Sequence, residues 1–415
     1  MSKTLLDRFL TAGVKQGRLR VTFADGTTSE YGAPAASYPS VAIRLTDRKV
    51  PRDIIFDPRI GAAEAFMDGR LVLEEGEIMD LVELLRANNP WDKGGNFGRP
   101  SKLKRLKNSA AFALEQVNNR VGSKSNVAHH YDIGNDLYEL MLDAEHMQYS
   151  CAYWPSPDIT LGEAQRAKLA HIAAKLALEP GNTVLDIGCG WGGMAIFLAQ
   201  HFDVRVTGIT LSEEQLALAR QRVEAASVAD KVSIELIDYR DFAANGTQFD
   251  RIVSVGMFEH VGRPQFETFF EACAKILRDD GVMLLHTIGR MGMPGTTDAF
   301  TRKYIFPGGY IPALSETVAA SEKVRLIASD VETLRLHYAY TLREWYRRCM
   351  EHKDAIVAMY DEKFFRMWTF YLSGATAAFE HGGMCNYQIQ FVRQRRSLQI
   401  TRDYMREGEL GLSAS

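Results

Sequence analysis

A chain of 415 residues exceeds one average domain, so two domains are expected. Hydrophobic residues at 46%, charged residues at 24% and a formal net charge of −3 describe a soluble globular protein and exclude a globally basic nucleic-acid binder. The five cysteines (Cys151, Cys189, Cys273, Cys349 and Cys385) form no C-x-x-C pair and point to reduced thiols in a cytoplasm.

Met1 to Asp7 meets charge too early for a signal peptide, and no apolar run is long enough to span a bilayer. Lipid, if handled at all, would be handled from the membrane surface. Residues 1–98 read as a small α+β domain. Strands are expected at 18–23, 41–45 and 70–73, with turns at Asp25-Gly26 and Asp68-Gly69. Helices are expected at 60–66 and 78–85. No catalytic cluster stands out here, which suggests binding or assembly. Residues 99–128 form a linker. Its start carries Arg99, Lys102, Lys104, Arg105 and Lys107 without an acid, and Leu103 and Leu106 interleave at helical spacing. Such a stretch is either a solvated helix face or an attraction to anionic headgroups, worth about 1 kcal/mol per basic residue near a surface. It is short and lacks stacking aromatics, so nucleic acid is not expected.

From Leu161 the pattern becomes regular. Thr160-Leu161-Gly162-Glu163 resembles a capping box opening a helix to about Leu178. Strands follow at 183–187, 204–210, 232–237, 251–255 and 282–286, with helices at 212–226 and 264–277 between them. This alternation predicts a doubly wound parallel sheet. Amphipathic stretches at 341–359 and 361–379 and a strand at 387–392 complete it.

The first of those strands runs into Gly188-Cys189-Gly190-Trp191-Gly192-Gly193. A strand turning into a helix presents outward N–H groups, and glycine admits a ligand close to the backbone. G-x-G-x-x-G alone suggests a dinucleotide. However, Asp186 precedes the first glycine by two positions. The next strand ends at Thr210 without the acid that an NAD site uses for its ribose. These details favour S-adenosylmethionine over a nicotinamide or flavin. Ligands in such sheets bind beyond the carboxyl ends of the strands. Gly188, Gly190, Thr210, Asp238, Glu259 and His286 fall along that rim. Asp238 suits an adenine amino group or a ribose hydroxyl, whereas Glu259 and His286 suit chemistry or a polar ligand. Ser212-Glu213-Glu214-Gln215 is itself a capping pattern, so Gln215 could serve only its own helix.

Several stretches are shared with one family: His129-His130-Tyr131-Asp132-Ile133-Gly134-Asn135, Tyr149-Ser150-Cys151-Ala152-Tyr153, Leu185 to Gly192, Thr210-Leu211-Ser212, Asp238-Tyr239-Arg240-Asp241, Gly256 to Gly262, His286-Thr287-Ile288-Gly289 and Lys303 to Gly309. Over about residues 125–400 the chain resembles the cyclopropane fatty acid synthases, including the mycolic acid cyclopropane synthases. Residues 129–415 would then form a Rossmann-like methyltransferase domain, preceded by a lipid-binding domain. The resemblance implies methyl transfer from S-adenosylmethionine to a cis double bond of a phospholipid acyl chain. The resulting carbocation loses a proton and closes to a cyclopropane.

In the family a bound bicarbonate is thought to take that proton. By resemblance its holders here are Cys151, Glu259, His286, the backbone of Ile288, and Tyr338. Tyr149, Ser150, Asp186, Gly188, Gly190, Gly192, Thr210, Gln215, Asp238 and Tyr239 would line the cofactor, and no metal is implied. Tyr304, Phe306 and Tyr310 are expected at an acyl channel or in ordinary core packing. The resemblance further implies a homodimer, cytoplasmic and peripheral at the inner face of the membrane. One departure is visible. Some members carry a cysteine in the C-terminal helical segment, where this chain aligns Ala375. The alkene is the nucleophile in this chemistry, so no thiol nucleophile is needed. Two other readings stay open: a lipid methyltransferase that leaves methyl-branched or methylated unsaturated chains, and a non-catalytic lipid-binding protein.

Overall fold

The computed structural model describes residues 2–95 and 134–413. The basic stretch 99–107, the rest of the 99–128 linker and the motif positions His129 to Ile133 lie outside the described residues. The chain forms two compact units. Within the described residues, one comprises the chain up to Gly95 with 297–307 and 342–384, and the other comprises 134–296, 308–341 and 385–413.

The smaller unit holds a four-stranded sheet of β1 (Arg18–Thr22), β2 (Thr28–Tyr31), β3 (Ser40–Leu45) and β4 (Leu71–Glu75), in the order β2-β1-β3-β4. Leu19 and Val21 are buried while Arg18 is exposed, as the alternation in the sequence requires. Asp25 caps the β1–β2 turn by accepting from Thr27 N–H at 3.1 Å. Helix Ile78–Ala87 starts where Asp80 reaches back to Glu77 N–H at 2.8 Å, and it packs against helix Glu362–Glu380. Glu83, Glu380 and His381 converge nearby, but Arg343 donates to both carboxylates at 2.6–2.8 Å. That arrangement is a structural ion pair. Helices Ser2–Gly13 and Val50–Phe56, which periodicity did not reveal, complete this unit.

The larger unit holds a seven-stranded sheet of β5 (Thr183–Ile187), β6 (Arg205–Thr210), β7 (Val232–Leu236), β8 (Phe249–Val255), β9 (Leu277–Arg290), β10 (Ile327–Leu334) and β11 (Met384–Val392). Their order is β10-β11-β9-β8-β5-β6-β7. Strands β5 to β9 pair in parallel, and β10 with β11 antiparallel. Alternate residues of the central strands enter separate cores. Val184, Val253 and Leu284 pack with Leu169, Ile172 and Leu176 of helix Leu161–Leu176. Leu185, Ile252, Met283 and Leu285 pack with Phe258, Phe269 and Phe270. Burial on both faces explains the near-continuous apolar runs of these strands. It also fixes orientation: by the two-residue period, Asp186 and His286 lie on the face of Val184 and Leu284, towards helix Leu161–Leu176.

Candidate active site

The turn after β5 has the predicted glycine geometry. Gly188 has φ +81°, and a Cβ there would come 2.8 Å from the Met257 side chain. Gly192, at φ +79°, caps helix Gly193–His201. The amides differ from expectation. Gly188 N–H and Cys189 N–H both donate to Ile209 O, at 2.9 and 3.1 Å. Those two donors tie β5 to β6 and do not point outward.

Beyond the strand ends lies a cavity lined by Tyr149, Ser150, Asp186, Gly188, Gly190, Thr210, Gln215, Asp238 and Tyr239. Gly192 is not on the lining. Gln215 does more than cap its helix. Its N–H donates to Ser212 Oγ at 3.2 Å, while its side-chain Oε1 accepts from Thr210 Oγ1 at 3.0 Å inside the cavity wall. Asp238 faces the cavity with its carboxylate clamped by the Arg240 guanidinium at 2.6 and 2.8 Å. A ligand hydroxyl at Asp238 would therefore share the carboxylate with a cation. Asp186 is buried, and its Oδ2 has no hydrogen-bond partner among the described residues. Burial raises its carboxyl to about 7, against the opposing pull of Lys168. His260 also lines the cavity, and burial lowers it to about 4, so it adds no positive charge.

Lys168 was not apparent from sequence. It is fully buried and donates to Ser150 Oγ at 3.0 Å and to Gln148 Oε1. Burial lowers it to about 8, opposed by the Asp143 and Asp186 carboxylates. It belongs to a stripe of buried polar residues, Gln165, Lys168, His171 and Lys175, on a helix whose other buried positions are apolar. Their spacing of three, three and four residues is the signal that could have found them.

Glu259 lies in the short turn Phe258–His260 after β8. Its Oε1 accepts from Ile288 N–H at 2.5 Å, and its buried Oε2 has no hydrogen-bond partner among the described residues. Burial raises the carboxyl to about 7, opposed by its own and the Ile288 N–H groups and by the Thr287 hydroxyl. His286 pairs in register with Val255, and its ring meets Gln388 Nε2 at 3.1 Å and Asn386 Nδ2 at 3.4 Å. Cys151 is fully buried and donates to Ala152 O at 3.3 Å. Burial pushes its thiol well up, so it is a neutral donor. Tyr338 is buried in helix His337–Glu351. Glu259 and Ile288 are thus joined directly. No hydrogen bond between described residues joins Cys151 or His286 to Glu259. Of the expected channel aromatics, Tyr310 belongs to the core beside Phe266, with its hydroxyl on Glu316 at 2.8 Å. Tyr304 donates to Glu64 at 2.8 Å, and Phe306 packs on Tyr371.

An adenosyl cation fits this cavity. It offers a glycine turn that a Cβ would fill, the paired hydroxyl and amide of Thr210 and Gln215, and a buried acid, Asp186, with an unpartnered oxygen. The fold and the cavity together define an S-adenosylmethionine-dependent methyltransferase. Residues 119–389 match the family described as "Mycolic acid cyclopropane synthetase", and residues 6–90 match a domain of unknown function. The chain belongs to the mycolic acid cyclopropane synthetase family, whose members include lipid methyl- and methylene-transferring enzymes. It is 42% identical to a "Probable fatty acid methyltransferase" of Pseudomonas putida, over 90% of this chain and 92% of that one. It is 38% identical to the "Cyclopropane-fatty-acyl-phospholipid synthase" of Escherichia coli strain K12, over 85% and 87%. The solved mycolic acid cyclopropane synthase CmaA1, complexed with SAH and CTAB, superposes with a TM-score of 0.60 at 33% identity, covering 65% of this chain and 97% of that one.

Proposed function

We propose that the enzyme transfers a methylene group from S-adenosylmethionine to a cis double bond of a phospholipid-bound acyl chain and closes a cyclopropane ring. S-adenosylmethionine, when bound, supplies an electrophilic methyl group. The alkene would supply the electron pair for the new C–C bond as the methyl–sulfur bond breaks and its pair stays on the departing S-adenosylhomocysteine. One proton then leaves the transferred methyl group, and the electrons of that C–H bond form the third ring bond. What this chain adds is a cavity that holds the donor, and, in the turn Phe258–His260 next to the lining residues Met257 and His260, an acid–base group for the departing proton, Glu259, which is not itself on that lining. The observation that carries this reading is Glu259, a wholly buried carboxyl fixed on Ile288 N–H and titrating at about 7. A group with that titration point can accept a proton near neutral pH. The proposal includes a bicarbonate held by Cys151, Glu259, His286, the Ile288 backbone and Tyr338. An anion held by several donors is well placed as a base, and its charge stabilises a developing cation. The phospholipid substrate follows the name of the Escherichia coli relative.

The test is incubation with S-adenosylmethionine and vesicles of cis-unsaturated phospholipid, followed by mass analysis of the acyl chains. A gain of one carbon with resistance to hydrogenation is expected. Chains that gain the carbon and still take up hydrogen would favour the second reading, methylation without ring closure. The fatty acid methyltransferase name of the 42% identical relative supports that alternative. Cofactor binding without turnover on any lipid would leave a lipid-binding protein. The proposal also places the enzyme as a dimer at the inner face of the membrane. Replacing Lys102, Lys104, Arg105 and Lys107 with Gln should weaken sedimentation with anionic vesicles, and equilibrium ultracentrifugation reads the dimer.

A further inference from the structure

His286 sits on β9 with its ring between two amides of β11. Gln388 Nε2 lies 3.1 Å from Nδ1, and Asn386 Nδ2 lies 3.4 Å from Nε2. The ring proton follows from a third residue. Lys175 Nζ lies 2.8 Å from Gln388 Oε1, and an ammonium only donates, so the atom it touches is the amide oxygen. Lys175 is itself held by the Glu332 carboxylate. The Gln388 NH2 is therefore turned towards His286 Nδ1, which has to accept. An imidazole that accepts at Nδ1 carries its single proton on Nε2. A second proton would set N–H against N–H. Burial of the ring acts the same way and most strongly, and Lys168, Lys175 and His171 add to it, with Glu332 only partly offsetting them. Asn386 completes the argument. Its Oδ1 is buried without a hydrogen-bond partner while its Nδ2 faces Nε2. Amide orientation is a matter of assignment, and a half-turn gives Oδ1 the Nε2 proton. At 3.4 Å this contact is long, so an anion oxygen nearby can take the same N–H.

We infer that Lys175 and Gln388 are positioning residues that hold His286 as a neutral imidazole protonated on Nε2, making it a hydrogen-bond donor to an anion and not the acceptor of the reaction's proton. The role of His286 in the reaction rests on the function proposed above, whereas its tautomer does not. The proton released on ring closure then goes to the anion or to Glu259. Lys175 acts through Gln388 and touches no reactant.

The full-length protein labelled with 15N-histidine reads this directly, with the His286 signals identified by their loss in His286→Asn. The expected result is a protonated Nε2 and an unprotonated Nδ1 from about pH 6 to 8, the range in which an ordinary histidine titrates. Lys175→Met should release the Gln388 amide and give both tautomers, while Lys175→Arg should keep the wild-type pattern. Gln388→Glu should place a proton on Nδ1 and lower turnover about 100-fold, with SAH affinity within about twofold. A wild-type ring protonated on Nδ1, or doubly protonated at neutral pH, overturns the proposal, as does a folded Lys175→Met with an unchanged pattern. The expected tautomer together with full activity of His286→Gln would uphold the positioning and remove His286 from the reaction instead.

Discussion

The rim of the cofactor cavity and the polar stripe of helix Leu161–Leu176 lie in one unit and specify chemistry by opposite means. The rim relies on backbone shape: glycines at positive φ, a close approach to Met257, and short side chains at strand ends. The stripe relies on long side chains removed from water and held by specific partners, as Lys168 is by Ser150 and Gln148 and Lys175 is by Gln388. A change at the rim removes room for a ligand. A change in the stripe strands a buried charge, which costs far more than the interaction was worth.

That contrast can be broken or sharpened by substitution. The largest effect is expected at Glu259, the buried carboxyl held by Ile288 N–H. Glu259→Gln should lower turnover about 1,000-fold, in the range of general acid–base catalysis, while SAH affinity by calorimetry stays within about threefold. A variant with near wild-type rate would remove Glu259 from the mechanism. Lys168→Met should cost about 3–5 kcal/mol in urea denaturation, because Asp186 and Asp143 lose the buried cation near them. A loss below about 1 kcal/mol would mean that the stripe is as tolerant as the rim. The pH dependence follows from Glu259. Its folded value of about 7 exceeds the ordinary 4.5, so the folded state holds the proton more tightly. The associated stability is present below about pH 4.5 and is lost as pH rises through about 7. Between pH 5 and 8 the wild type should lose about 2–3 kcal/mol relative to Glu259→Gln, and parallel curves would place the carboxyl in water. The smallest effect on folding belongs to the rim. Gly188→Ala should cost about 1–2 kcal/mol of stability, since φ there is +81°. The added methyl displaces Met257, so SAH binding should weaken at least tenfold, equivalent to about 1.4 kcal/mol.

The same contrast explains what could be read in advance. Strands β5, β8 and β9 were legible because burial on both faces writes them as apolar runs, β7 because it alternates, and the glycine turn because only glycine suits its backbone. Strand β10 was not. Asp330 and Glu332 interrupt its pattern, and their partners, Arg402 for one and His171 and Lys175 for the other, are far away in sequence. Lys168 and Lys175 were missed for a related reason: on a helix, lysine reads as solvent-facing unless its buried counter-groups are known. Arg240 changed the reading of Asp238 in the same way, since two positions of separation give no hint of a clamped carboxylate. Cys151, Ile288 and Tyr338 were named by resemblance alone, whereas Glu259 and His286 were also marked by their place beyond the strand ends.

The strand order carries a consequence for synthesis. β11 inserts between β9 and β10, yet about 90 residues separate the end of β9 from its start. At roughly 5–20 residues per second, a nascent chain waits on the order of 5–20 s on the ribosome with an open edge on β9. An unpaired edge invites pairing with other chains. The amides that orient His286 arrive on that late strand, so the polar side of the site is assembled last, and expression conditions that slow elongation should raise the aggregated fraction.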